Sequence, residues 1–462
     1  MVMLPWFKKS TGLNNVRDGR RAEWTEKDGM TVLEKAFNVV HDSSGRVSRR
    51  KGRRVIGTAT NVGSLFRWKE VIYGVVGSKL CSIGVDGVYV ELADVDPDYP
   101  LAFAGVGDSV YFSNVKGNGV LVGGHYEPWA KSAKSYMFSN SRGYVEPPQG
   151  SILCNYKGRM YVAYGRTLIA SDPYGLNVYD AMRADIPFDS NIVMVRGVNK
   201  GLWVGTELGV YFLADTGDGF FRFSKESEFV AEFGSDQSVD GTYLLDASLA
   251  GGDADKMKEV ILFVAGGFIF LGTSDGRLMN LTRGVVRLPV MDDCCSVIDY
   301  GTDSYIVSSK NLTVCFNLIT GAVSQFGNFF YTGMVYKDGK VIAGDGSGLY
   351  VIDSDLDGTT AINAYFKLAM TDFGSIRSKR LWSSLVSFQS DGRIKYTVHC
   401  DERVSYSREI SNEVNDKQTG KRVAGGRNVK GKYFSFEIGN VLGSDFSVDG
   451  VDAILVPLGG KI

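Results

Sequence analysis

Histidine is nearly missing from this chain. Only His41, His125 and His399 occur in 462 residues. A three-histidine zinc site would use all of them, and a Ser-His-Asp triad has few bases to draw on. HExxH is absent, and Gly-Asp-Gly-Ser-Gly at 344–348 lacks the Lys and the Ser/Thr of a phosphate-binding loop. Proline is scarce, at 10 residues. Six cysteines occur (Cys81, Cys154, Cys294, Cys295, Cys315, Cys400), with no CxxC pair and no recurring spacing. Disulfide frameworks belong to small secreted domains, so buried free thiols in a reducing compartment are expected. The adjacent Cys294 and Cys295 would face opposite sides of a strand, a poor geometry for pairing. The formal net charge of −1 supplies no global field towards nucleic acid or membrane. The longest apolar window, 260–271, reaches about 12 residues against the 18 or more of a membrane span. The short apolar start at 1–7 is followed, not preceded, by Lys8 and Lys9, unlike a signal peptide. A soluble protein made in the cytoplasm, without membrane insertion, is expected.

What the chain does have is glycine and aromatics: 57 Gly, with Phe, Tyr and Trp at 12%. That combination fits many short strands joined by tight turns. A chain this long normally divides into two or three domains, unless a closed all-β architecture grows by repetition. One unit does recur: a polar or Gly-rich turn, a Val- and aromatic-rich strand, a second turn and a second strand. It begins near 72, 111, 161, 203, 261, 305 and 341, at intervals of 36 to 58 residues. A period of roughly 40–50 residues is that of a four-stranded propeller blade. A hairpin cannot bury its apolar face alone, so neighbours stack radially and the ring closes. The expectation is an all-β fold: a propeller of about seven irregular blades over 56–357, six or eight also fitting the irregular spacing. No Trp-Asp or kelch signature accompanies it. Two stacked β-sandwiches would explain the hairpins but not the spacing. Residues 358–462 change character, and partial alternation at 380–389 predicts a small C-terminal β-sandwich. Residues 412–432 are polar and read as an exposed loop, and the best helical candidate is a turn at 247–258.

The first 54 residues carry 13 Lys plus Arg against 6 Asp plus Glu, an excess of seven positive charges. Residues 1–55 therefore read as a basic arm with a first hairpin, on a mildly acidic body. A strand at 37–40 meets an Asp-Ser-Ser-Gly turn, where Asp42 bonds to its own backbone and Gly45 supplies positive φ. The second strand ends in a basic cluster: Arg46, Arg49, Arg50, Lys51, Arg53 and Arg54. Three readings stay open for it. These are contact with phosphates, bidentate docking on an acidic protein surface, and plain solubility. Arg377, Lys379, Arg380, Lys417, Lys421 and Arg422 in the last domain read as a solvated face. Trp6 and Trp24, in an arm without its own core, are expected to anchor on a neighbouring subunit, whereas Trp203 and Trp382 read as core. The carboxylates at 94–98 and 353–357 alternate as in calcium loops but lack the Gly and terminal Glu of an EF-hand. Ordinary turn chemistry covers them. No catalytic set, metal site or cofactor is nominated.

Three segments open the chain in a characteristic way: Gly-Leu-Asn-Asn at 12–15, Glu-Lys-Ala-Phe-Asn-Val-Val at 34–40, and Ser-Gly-Arg-Val-Ser-Arg-Arg-Lys-Gly at 44–52. Together with Leu-Ile-Ala-Ser-Asp-Pro-Tyr at 168–174, Ile-Pro-Phe-Asp-Ser-Asn-Ile at 186–192 and Gly-Leu-Trp-Val-Gly-Thr at 201–206, the chain resembles tailed-bacteriophage tail hub, nozzle and packaged-DNA-stabilisation proteins. The resemblance implies a β-propeller virion protein in a ring, usually six-fold, below the portal and its adaptor. Such a ring extends the DNA channel, helps retain the genome and docks further tail components. It implies self-association, contact with the portal–adaptor and non-specific contact with packaged DNA. Asn38 and the run from Gly45 to Gly52 then serve strand pairing and inter-subunit contact. The large insertions of the longest nozzle proteins are absent. Two other readings stand beside it. One is a propeller glycan-binding protein or depolymerase acting on host surface polysaccharide, which needs clustered carboxylates and aromatics in a cleft. The other is a cellular peptide-binding scaffold.

Overall fold

A computed structural model describes residues 1–131, 144–180, 185–217, 220–243, 258–401, 404–411 and 417–458. Among them no α-helix occurs; two three-residue 3-10 turns, Gly19–Arg21 and Gly241–Tyr243, are the only helical elements. The expected turn at 247–258 lies almost wholly outside the described residues.

Six four-stranded antiparallel sheets stand alone, and a seventh four-strand unit opens a larger sheet. Each unit runs from an inner to an outer strand. In the first these are Val62–Trp68, Val71–Val76, Lys79–Ile83 and Tyr89–Asp94. All seven units contribute to one axial cavity of about 220 Å³, from Leu65 of the first to Met334 of the last. The architecture is a β-propeller. The hairpins legible in the sequence are the second and third strands of every unit, for instance Gly201–Thr206 with Gly209–Asp215. These are the most buried strands: all six residues of Gly201–Thr206 and of Val260–Ala265 are buried. The strands on either side carry weaker apolar signals.

The ring closes through the N-terminal part of the chain. Gly52–Gly57 pairs antiparallel with Leu349–Ser354 and becomes the outer strand of the last unit, before the chain enters the first. Radial closure leaves each blade only a short inner edge, protected around the axis.

Residues 1–51 are not a free arm. Val2–Phe7 pairs with Phe446–Pro457, and Val47–Arg49 pairs with the same strand at Ser447 and Val448. Leu33–Phe37 sits between Tyr365–Leu368 and the outer strand of the sixth unit, Val323–Phe326. The sixth unit thereby continues through Phe434–Asn440, Arg393–Cys400 and Val404–Ser411 into a nine-stranded curled sheet. A second sheet, containing Val2–Phe7, Phe446–Pro457, Lys379–Ser390 and Thr419–Ala424, faces it. The two sheets stack through Trp6 on Phe436 (5.2 Å between centroids) and Phe7 on Phe366 (5.8 Å). The body expected from 358–462 alone is thus built from both ends of the chain. Part of the expected loop at 412–432 is strand, Thr419–Ala424 and Lys430–Gly431; its polar sequence fits an edge, where one side meets water.

Candidate functional site

Two crossovers link the propeller to the sandwich, and they run side by side. The outgoing one is Arg49–Arg54. The returning one is 353–363, which follows the third strand of the last unit. Gly52 lies where they touch: a Cβ there would meet the Leu356 carbonyl oxygen at 2.3 Å. The cations of one crossover and the carboxylates of the other interleave. Arg49 is bonded through Nη2 to Asp355 (2.9 Å) and through Nε to Asp445 (3.1 Å). Arg50 meets Asp357 in a bidentate pair, at 2.7 and 3.0 Å. Arg54 reaches Asp353 (3.0 Å), which also accepts from Lys340 (2.8 Å). Lys51 lies 3.2 Å from Asp355, and Arg53 lies 3.3 Å from Asp345 with its guanidinium 4.7 Å from the Tyr350 ring centre. Arg46 pairs with Asp449.

Depth differs sharply along this ladder. The Arg49 and Arg50 side chains are 0% and 2% exposed, whereas that of Arg54 is 57% exposed. Arg50 is the most completely held. Its Nε donates to Asn38 Oδ1 (2.8 Å), its Nη2 to the Gly327 carbonyl (2.8 Å), and it lies 5.2 Å from the Phe329 ring. Asn38 adopts φ 55°, a left-handed conformation that Asn tolerates better than most residues. Its amide donates to the Asn363 carbonyl (2.7 Å), and its Oδ1 also accepts from Gly327 N–H (2.9 Å). One buried side chain therefore ties the N-terminal segment, the sixth unit and the returning crossover together. The turn before it has Gly45 at φ 83°, while Asp42 Oδ1 accepts from the Ser44 and Arg46 amides.

Charge pairing shifts the carboxylates. Burial works against ionisation of Asp353, but hydrogen bonds from Arg54 and Lys340 hold its carboxyl below the ordinary value. The hydrogen bond from Lys51 does the same for Asp355. Beside the ladder lies a cavity of about 720 Å³ between the two bodies, walled by Arg49, Lys51, Lys340, Asp299, Asp391 and Phe446 among others. His41, nearby in sequence, is buried. Burial drives its imidazole down to about 4, with Asp42 opposing, and neither ring nitrogen has a hydrogen-bond partner among the described residues.

The cluster expected to contact DNA or a neighbouring subunit therefore turns inward. Arg49 and Arg50 are closed to any outside partner, because their guanidinium groups already hold carboxylates of this chain. Arg46, Lys51, Arg53 and Arg54 are partly exposed but also paired. Trp6 is fully buried within the sandwich, not on a neighbour. Trp24 donates to the Pro5 carbonyl (2.8 Å) and packs on Phe373 (5.9 Å) of the same chain. The acidic run at 353–357 supplies the partners of Arg49, Arg50, Lys51 and Arg54. Both halves were visible in the sequence, and the signal left unused was their opposite charge, five cations at 49–54 against three carboxylates at 353–357. The run at 94–98 has ordinary turn chemistry, with Asp94 paired to Lys79 (2.5 Å) and Asp96 Oδ1 accepting from Asp98 N–H (3.0 Å). Among the described residues no group of three or more His, Cys, Asp or Glu is placed to hold a metal ion.

No family model matches the chain, and no curated protein matches it. Solved structures similar to it include the extracellular domain of a putative one component system from B. thetaiotaomicron, at 11% identity and a TM-score of 0.43, covering 79% of this chain and 48% of that one. The Pan2 WD40 domain of Neurospora crassa matches at 8% identity and a TM-score of 0.41, covering 66% of this chain and 94% of that one. PorZ, a bacterial surface component of the type-IX secretion system of Porphyromonas gingivalis, matches at 13% identity and a TM-score of 0.40, covering 65% and 37%. The chain spans about half the length of the B. thetaiotaomicron structures it matches.

Proposed function

We propose that this chain is a structural virion protein of a tailed bacteriophage. In this reading it is a subunit of a tail or neck ring that extends the DNA channel, helps retain the packaged genome and docks further tail components. The single observation that supports it is the placement of the segments carrying the phage-like resemblance. The segment at 12–15 lies on the sixth unit, with Leu13 N–H bonded to the Val323 carbonyl (2.9 Å) and the Asn15 side-chain amide bonded to the Arg287 backbone through both its oxygen and its nitrogen. The segments at 34–40 and 44–52 form the strands and the ladder that weld sandwich to propeller. Shape held by long-range pairing is what a ring subunit under DNA pressure requires. In this reading the chain performs no catalysis; it acts through rigidity and self-association. Subunits meet head to tail, the kind of interface that closes a ring.

The test is antibody labelling of virions whose genome encodes this chain. Label confined to the tail or neck, with ring-like density there, supports the reading. Particles that carry no label, together with new reducing ends when the purified chain meets host polysaccharide, overturn it in favour of a depolymerase.

A further inference from the structure

A second basic region lies on the outer face of the sandwich. Between residues 417 and 432 the chain has six Lys or Arg and no Asp or Glu. Strand register brings several of them together. Lys379–Ser390 pairs with Thr419–Ala424 on one stretch and with Lys430–Gly431 on another. Leu381, Val386 and Phe388 point into the core, so Arg380, Trp382 and Leu385 point out.

Arg380 is the register partner of Lys430, and Arg422 is that of Leu385. Among the described residues Arg422 bonds only to a hydroxyl, Ser383 Oγ (3.0 Å), and Arg427 and Lys430 are exposed. Like charges directly opposite across a ladder are destabilising. Here Arg380 and Lys430 stand opposite, with no carboxylate between them among the described residues. Arg380 stacks 5.4 Å from the Trp382 ring centre, and its Nε has no hydrogen-bond partner among the described residues. Trp382 is 43% exposed, where the sequence placed it in the core. The carboxylates along the neighbouring strand, Asp449 and Asp452, are already paired with Arg46 and Lys8. The contrast with the inward ladder is chemical: every cation there has its carboxylate, and Arg380, Arg422, Arg427 and Lys430 have none among the described residues.

We propose that this face binds nucleic acid. Adjacent strands are about 4.8 Å apart, so Arg380 and Lys430 lie within one Debye length, about 10 Å at 0.1 M salt, and Arg422, five residues further along the strand at about 3.3 Å each, extends the face by about 16 Å along a phosphate backbone. Each neutralised phosphate releases a counterion, which makes the binding steeply salt-dependent. The exposed indole with its stacked guanidinium offers a platform for an unpaired base. The proposal deepens the ring reading by assigning its DNA contact to one face, and because an isolated subunit already carries the whole face, its test can fail while ring assembly stands.

The experiment is fluorescence anisotropy of the purified full chain with a 30-mer single strand and a 30-base-pair duplex, over a salt series. The double reversal Arg427→Glu with Lys430→Glu is expected to weaken binding to both at least tenfold and to flatten the salt dependence. Trp382→Ala is expected to weaken the single strand about tenfold and the duplex little. The double reversal Lys69→Glu with Lys116→Glu, at exposed positions on the propeller, changes the net charge equally and leaves affinity unchanged. All these positions are exposed, and unchanged thermal melts establish that the variants fold. Absence of binding by the wild type at 50 mM salt overturns the proposal, as does equal loss from the propeller double reversal.

Discussion

Truncating Arg50 is expected to cost far more than truncating Arg54, although the two cations lie four residues apart in one cluster. Arg50 makes five side-chain hydrogen bonds, two of them to Asp357, whose side chain is only 7% exposed. In Arg50→Ala the Asp357 carboxylate stays buried without its cation, and breaking such a pair from one side costs about 3–5 kcal/mol. Arg54 is mostly in water, so its pair with Asp353 contributes about 0–1 kcal/mol. Unfolding entropy is about 2.1 cal/mol/K per residue, or about 1 kcal/mol/K for a chain of this length. Calorimetry should therefore show Tm lower by about 3–5 °C for Arg50→Ala and by no more than about 1 °C for Arg54→Ala. Replacing both partners, Arg50→Met with Asp357→Leu, removes the orphaned charge and should recover most of the loss. Equal shifts for the two single variants, or a silent Arg50→Ala, would refute the inward-facing ladder and return the cluster to the surface.

Three further outcomes follow from the same structure. His41 has an ordinary value near 6.5 when unfolded and about 4 when folded, so the unfolded chain binds the extra proton and stability falls as pH drops from 6.5 towards 4. Urea titrations at pH 7 and pH 5 should differ by about 2 kcal/mol from this group, and His41→Gln should remove that share. Gly12 has φ 84°, and a Cβ there would lie 2.4 Å from the Val323 nitrogen, whereas Gly321 at φ 69° has open space around it. Gly12→Ala should therefore lower stability by more than Gly321→Ala, whose cost is the backbone strain of about 1–3 kcal/mol alone. Burial pushes the thiols of Cys81 and Cys154 up to about 11, and those of Cys294, Cys315 and Cys400 up to about 12. A chromogenic disulfide reagent should thus titrate few thiols in the native protein and six after denaturation; fast native labelling would contradict that burial.

The periodic part of the fold was legible because it is local. A unit's central hairpin, such as Lys340–Gly344 with Leu349–Ser354 in the last blade, joins strands a few residues apart, and its two short apolar runs around a Gly-rich turn are written in one short window. The closing strand was not legible. Arg53 pairs with Ile352 and Arg54 with Val351 across nearly 300 residues, and no local pattern records such a register. The same distance hid the meaning of the basic cluster. Its cations and the carboxylates of 353–357 each stood out, but only the fold brings them face to face. Trp6 misled for a related reason: its own segment has no core, and the core it enters, with Phe373 and Phe436, comes from the far end of the chain.

The most direct test of the ring account is mass photometry of the full chain, alone and mixed with the portal–adaptor complex of the same virus. The account predicts a closed oligomer, six-fold by the phage-like resemblance, either in the free protein or on the adaptor. A chain that stays monomeric at micromolar concentration and ignores the adaptor would contradict it.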